Sequence, residues 1–296
     1  MIGIVMFIVA LLLLLLGFPV AFTFGGVAVL FGVFAEGWDL FAFMPYRIYN
    51  IMQNVVLMAV PLFIFMGIVL QKTQLAEQLL ESMGRLFGGV RGGLAVSTII
   101  VGALLAASTG VVGASVVAMG VISLPVMLKY GYHKGLATGT ICGAGTLGQI
   151  LPPSIILFIL GDVLGLPVGD LFQAAIIPGL MLVGLYVLYV LGLAWSKPEN
   201  APPIPFDEHD TNKTQQYLHA LKAIVPPLTL IIVVLGSIFA GIATPTESSA
   251  LGGMGAILLA LLYRKFSWQM LFESALETIK ITAMVFAILL LSLIHI

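Results

Sequence analysis

The sequence predicts an all-α polytopic membrane protein with a re-entrant hairpin and a broken helix in its first half. Composition is the first of three observations behind this: of 296 residues, 60% are hydrophobic and 8% charged, with mean hydropathy +1.16, whereas a soluble domain carries about 25% charged residues. Second, two apolar runs, Leu94 to Ala107 and Ala114 to Met127, flank a small polar tip, Ser108-Thr109-Gly110-Val111-Val112-Gly113. Each run of 14 residues reaches only ~21 Å at about 1.5 Å per residue, short of the roughly 30 Å of hydrocarbon. Third, the next apolar segment is interrupted by the glycine-rich Gly139 to Gln149 and closed by Leu151-Pro152-Pro153-Ser154. The net charge of −1 says little about partners, and the single cysteine, Cys142, excludes an internal disulfide and a cysteine-based metal cluster.

In order, the chain opens with a span at residues 2–16, a tight turn at Gly17-Phe18-Pro19, and a second span at 20–34. A signal peptide is the rival reading, but two spans are expected here, because Met1-Ile2-Gly3 supplies no basic n-region and no small-residue cleavage site precedes the next span. Residues 36–54 mix Glu36, Trp38, Asp39, Tyr46, Arg47 and Tyr49, as suits an interfacial segment with aromatic anchors. A third span, residues 55–70, contains Pro61. Residues 71–93 are amphipathic, with Leu75, Leu79, Leu80, Met83 and Phe87 at helical spacing opposite Glu77, Glu81 and Arg85. They read as a surface helix leading into the hairpin at 94–127.

The broken helix covers 135–161. Glycine disfavours helix continuation and Pro153 lacks an amide hydrogen, so the break is expected around 139–149. Freed backbone groups at membrane depth must be buried in protein or line a wet cavity. A hairpin tip and an unwound helix rich in Gly, Ser and Thr are the parts from which midplane ion and substrate sites are built; the same residues also serve ordinary close helix packing.

A short loop at 162–170 leads to a span at 171–195. Residues 196–222 form a hydrophilic linker rich in Pro and acids, and its PENAPPIPFDEHDTNK reads as exposed. Spans at 223–240 and 250–263 follow, joined through Thr244-Pro245-Thr246-Glu247, then a second amphipathic connector at 264–277 and an apolar segment from 278. If the hairpin enters and leaves on one side, then of the 12 Lys and Arg residues only Arg47 falls opposite. That bias places the hairpin mouth in the cytoplasm and the amino terminus outside.

The layout repeats. Gly17-Phe18-Pro19 with Gly25-Gly26 matches Thr244-Pro245-Thr246-Glu247 with Gly252-Gly253 at an offset of 226. Five crossings separate the two, so the repeats are inverted: a first repeat at 1–195 and a second, incomplete one at 223–296. On that offset an intact chain would run to about residue 421, with a second hairpin and broken helix.

The Val60-Pro61-Leu62-Phe63-Ile64-Phe65-Met66-Gly67 run, the Ser108 to Ser115 tip, Gly145-Thr146-Leu147-Gly148 with Pro152-Pro153-Ser154, and Thr244-Pro245-Thr246-Glu247 together resemble one family. It is the large membrane subunit of tripartite ATP-independent periplasmic (TRAP) transporters, within the wider ion-transporter superfamily. The resemblance implies an elevator-type fold and sodium-driven uptake of an organic acid such as a C4-dicarboxylate or sugar acid. It implies three further things: a periplasmic substrate-binding protein that delivers the acid, a small four-helix membrane subunit, and a bacterial inner-membrane location with a periplasmic amino terminus. No cofactor and no nucleic-acid partner are implied. A binding-protein-independent dicarboxylate symporter of the same superfamily is the alternative, as is an inactive fragment. The closing Ser292-Leu293-Ile294-His295-Ile296 departs from the family pattern and is read as foreign to it.

Ser108, Thr109, Gly110 and Ser115 of the tip, with Gly143, Gly145 and Thr146 of the broken helix, are the candidate Na⁺ ligands, because hard cations take oxygen donors. Gly148, Pro152, Pro153 and Ser154 are the candidate substrate contacts. Pro61, Thr244, Pro245, Thr246 and Glu247 are motif residues; Glu247 is either a functional ionisable group in an apolar setting or a helix cap following Thr244. His133, His209 and His219 fall in connectors. An intramembrane enzyme would need a catalytic set that the sequence lacks, and a channel would be expected to repeat a pore motif.

Overall fold

A computed structural model describes residues 2–73, 75–87, 89–110, 112–204 and 213–292. All regular elements among these are helical. The chain forms two compact units, one of residues 1–57 with 276–296, the other of 58–275.

In the first unit, α1 (Ile2–Leu15) and α2 (Val20–Glu36) pack on each other across the turn at Gly17, whose φ of +90° suits glycine. Pro19 precedes α2, and its carbonyl accepts the Thr23 hydroxyl at 3.0 Å. A 3₁₀ turn at Trp38–Phe43 and α3 (Met44–Met52) occupy the stretch expected to be interfacial.

A 3₁₀ turn at Val56–Met58 carries the chain into the second unit at Met58, and α4 (Ala59–Lys72) follows. The expected span at 55–70 therefore starts four residues late, and Pro61 lies in the first turn of α4. There its missing N–H costs nothing, since the first four amides of a helix have no partner within it. Helix α5 (Leu75–Phe87) buries Leu79, Leu80 and Met83 against α6 (Gly93–Thr109). The Ser97 hydroxyl bonds the Met83 carbonyl at 2.8 Å and locks the two together.

The hairpin is α6 and α7 (Val112–Lys129). Its arms, 17 and 18 residues, are longer than expected, because Ser108 and Thr109 complete the last turn of α6 while Val112 and Gly113 open α7. Gly110, left-handed at φ +61°, follows α6, and position 111 lies outside the described residues. Even so, 17 residues span only ~25 Å.

The larger correction concerns the break. Helix α8 (Lys134–Thr146) runs unbroken through Gly139, Gly143 and Gly145; the chain turns through a 3₁₀ segment at Leu147–Gln149 and a non-helical stretch to Ser154 before α9 (Ile155–Leu164). Gly143 and Gly145 serve close approach rather than unwinding, and Gly139 faces open space. A Cβ on Gly145 would strike Val116 of α7, and one on Gly102 would lie 2.6 Å from the Ala144 Cβ. The prolines do the breaking, since neither Pro152 nor Pro153 has an amide to donate.

Beyond Gly165, the loop expected at 162–170 shrinks to a tight turn, with the Leu166 amide on the Gly161 carbonyl at 2.8 Å. Helix α10 (Val168–Ser196) is 29 residues long, with Pro178 inside. The stretch expected to be linker is in part helix: α11 (Lys213–Phe239) takes in 213–222, whose Lys, Gln, Leu and Ala are good helix formers. His209 and Asp207 lie outside the described residues. Helix α12 (Pro245–Leu262) packs along α4, where a Cβ on Gly252 would sit 2.6 Å from the Met66 sulfur. The connector and last apolar segment, read as separate, form one helix, α13 (Trp268–Ser292); residues 293–296 of the tail lie outside the described residues. Among the described residues, α10 and α12 are the two helices long and apolar enough to cross a membrane by themselves.

Candidate functional site

Both arms of the hairpin clasp the end of α8 and the break. From α6, Ala106 lies against Gly148, so that a Cβ there would fall on the Ala106 carbonyl; from α7, Val116 covers Gly145. At the tip, a Cβ on Gly110 would stand 3.0 Å from Ile155 Cγ1 and 3.5 Å from the Ile155 nitrogen. The hairpin tip thus abuts the first residue of α9. A helix N-terminus carries partial positive charge, which favours an anion.

The break is held from within and from behind. The Ser154 hydroxyl donates to the Gln149 carbonyl at 2.7 Å and accepts from the Leu157 amide at 3.4 Å, capping α9. Behind it, a Cβ on Gly179 of α10 would stand 2.8 Å from Leu151 Cδ2. Helix α9 is seated by an aromatic cluster: Phe158 lies edge-to-face with Phe63 of α4 at 6.3 Å and tilted against Phe172 of α10 at 6.4 Å.

Of the residues singled out in sequence, Gly110, Gly145, Gly148 and Ser154 are brought together here. Ser115 is buried one turn into α7. The Thr146 hydroxyl donates to the Gly143 carbonyl at 2.8 Å, and Gly143 itself faces the Tyr186 ring of α10, 3.4 Å from where a Cβ would be. Pro152 and Pro153 are buried in the break. The side chains of Ser108 and Thr109 are not described, and both residues belong to the last turn of α6 rather than to an open loop. No cluster of His, Cys, Asp and Glu suited to a metal ion occurs among the described residues.

Glu247 is separate. Its amide donates to the Thr244 hydroxyl at 3.3 Å, and its carboxylate accepts the Thr244 amide at 2.8 Å, with Pro245 at the first helical position: a complete capping box. Thr246 contributes its carbonyl to the Ser249 hydroxyl at 2.7 Å.

Sequence reasoning passed over two residues of the site. Gln149 has a side-chain oxygen buried without a hydrogen-bond partner among the described residues, directly in the break. Gly179 holds the break from α10, and its place after Pro178 in a long apolar helix was the available signal.

Residues 7–295 match the family described as "Tripartite ATP-independent periplasmic transporter, DctM component". That match extends into the tail read as foreign. The C4-dicarboxylate TRAP transporter large permease protein DctM of Vibrio cholerae is 31% identical over 261 residues, 88% of this chain and 56% of that protein. The ectoine/5-hydroxyectoine TRAP transporter large permease protein UehC of Ruegeria pomeroyi is 31% identical over 286 residues, 95% of this chain and 64% of its own length. The isethionate TRAP transporter permease protein DctMQ of Oleidesulfovibrio alaskensis is 29% identical over 279 residues, 94% of this chain and 43% of that protein. The chain thus spans 43% to 64% of the length of these relatives.

Proposed function

The chain belongs to the DctM-component family of tripartite ATP-independent periplasmic transporters, which are transporter subunits and not enzymes, and from that premise we propose that it carries one half of a sodium-coupled uptake site for an organic acid. The observation that supports this most is the meeting of the hairpin tip at Gly110 with the start of α9 at Ile155, beside the proline break. In this reading the substrate carboxylate sits against Gly148, Pro152, Pro153 and Ser154, where the N-terminus of α9 favours negative charge. Oxygens of Ser108, Thr109, Gly110 and Ser115, with those of Gly143, Gly145 and Thr146, hold Na⁺. The acid is a C4-dicarboxylate, a sugar acid or a similar carboxylate, delivered by a periplasmic binding protein. A small four-helix membrane subunit completes the inner-membrane assembly. The hairpin, α8 and α9 move as a piece, in elevator fashion, with the amino terminus in the periplasm.

The test is uptake of a labelled C4-dicarboxylate into proteoliposomes holding this protein and its companion subunit, with the binding protein outside. Uptake is expected to need an inward Na⁺ gradient. Equal uptake in choline would remove sodium from the scheme, and uptake without binding protein would turn the reading toward a symporter of the same superfamily.

A further inference from the structure

A groove of about 1040 Å³ opens between α8 and the carboxyl-terminal half of α10, reaching Gly143 and Tyr186. Its lining is largely apolar, with Ile99, Leu136, Val190 and Leu193 contributing. Its floor is bare: a Cβ built on Gly139 of α8 or Gly192 of α10 meets nothing within 4 Å, so the packing of this chain does not require glycine at either place. On the wall, Thr140 is 7% exposed, yet its hydroxyl oxygen has no hydrogen-bond partner among the described residues.

The mouth differs in chemistry. It is formed by Lys197 and Asn200 just past the end of α10, with His133 ahead of α8, and Tyr189 and Trp195 stand at its edge. Trp and Tyr at the end of a membrane-crossing helix mark the depth of the lipid headgroups. Lys197 makes no ion pair among the described residues, and Glu199, though close in sequence, lines no part of the groove.

We infer that this groove holds one anionic phospholipid, its phosphodiester at Lys197 and an acyl chain lying over Gly139 and Gly192 between the apolar walls. Basic pockets between membrane helices bind such headgroups, and a chain-shaped apolar floor below an unpaired cation at headgroup depth matches a lipid in both halves. A helix from another subunit fits less well. It would fill the glycine floor, but it would also cover Lys197 and His133 without offering the negative charge that the mouth lacks.

The experiment is native mass spectrometry of the protein released from detergent micelles containing equal amounts of dioleoyl phosphatidylglycerol and phosphatidylcholine. The unaltered protein is expected to retain one phosphatidylglycerol in preference to phosphatidylcholine. Lys197→Gln should weaken that retention about five-fold, the worth of one cation near an anionic headgroup. Gly139→Leu should abolish it by filling the floor; because its Cβ has open space and leucine favours helix, this variant folds, which a melting curve verifies. Unchanged phosphatidylglycerol retention in Gly139→Leu would overturn the inference. So would indifference between the two lipids, or loss of a protein subunit in place of lipid.

Discussion

Gly148 lies so near the Ala106 carbonyl that a methyl group there must displace either the hairpin or the break. We expect Gly148→Ala to insert normally and still lose most uptake, read as transport per membrane-embedded molecule. Full activity would mean that the contact between α6 and the break is incidental. Glu247 stands at the opposite extreme, since its carboxylate is exposed and spent on the cap of α12. Thr244→Ala should lower stability by about 1 kcal/mol, the usual worth of such a cap, while Glu247→Gln, which can still accept the Thr244 amide, should leave sodium dependence unchanged. A shift in sodium dependence with Glu247→Gln would restore the ionisable-group reading. A third residue reports on pH. The Glu273 carboxyl, on the stretch of α13 ahead of its apolar part, is held below the ordinary carboxylate range by the Gln269 amide and then by Lys72, whose ammonium lies 3.2 Å away. A lowered value in the fold means stabilisation present above the ordinary range and lost as pH falls through the lowered value. Glu273→Gln should therefore melt earlier than the unaltered protein at pH 7, with the gap closing as the solution is made acidic enough to protonate the carboxyl; this exposed pair makes the effect small. A gap that is the same at both pH values would assign the difference to something other than ionisation.

Among the elements, what was legible in sequence rests on chain-local physics. The turn at Gly17 to Pro19, the amphipathic α5 and the Thr244 capping box each declare themselves through residues a few positions apart, and each is found where it was expected. The position of the break was not legible, because glycine carries two meanings. In water it weakens a helix, but in a membrane bundle it lets backbones approach, and Gly102, Gly145 and Gly148 do the second. Only the neighbours distinguish the two, and those neighbours, Ala144, Val116 and Ala106, are 42, 29 and 42 residues away in sequence. The lengths of α11 and α13 were misjudged for a related reason: a change from polar to apolar residues was taken for a helix end, whereas helices cross the membrane interface without stopping. The packing reading of Gly145 makes its own prediction. Gly145→Ala should loosen the hairpin, because the new methyl strikes the Val116 side chain, and adding Val116→Ala should recover part of the loss. The two changes should be non-additive by about 0.5–3 kcal/mol in thermal unfolding, as for residues in contact. Strict additivity would separate the two helices at that point.

At the scale of the larger unit, one end gathers the cations. The His133 amide donates to the Asn200 carbonyl at 3.0 Å and the Gly92 amide to the Ala201 carbonyl at 3.1 Å, which ties the start of the hairpin, the start of α8 and the end of α10 together. The Tyr132 hydroxyl accepts the Leu94 amide at 3.3 Å across the same mouth. Arg91, Lys129, Lys134 and Lys197 are therefore neighbours at one end, while the turn between α9 and α10, with Asp162 and Asp170, lies at the other end of α10. Loops rich in Lys and Arg stay on the cytoplasmic side, so this grouping supports a cytoplasmic hairpin mouth on geometry as well as on count. Because Cys142 is exposed, labelling must begin from a Cys142→Ala background. In that background, a cysteine replacing Lys134 or Glu199, both exposed, should resist an impermeant thiol reagent added to intact cells and react once the cells are opened. Cysteines replacing Asp39 or Asp162 should react in intact cells. Labelling of position 134 from outside, with position 162 protected, would invert the whole assignment. It would place the amino terminus in the cytoplasm and turn the proposed substrate entry to the wrong face of the membrane.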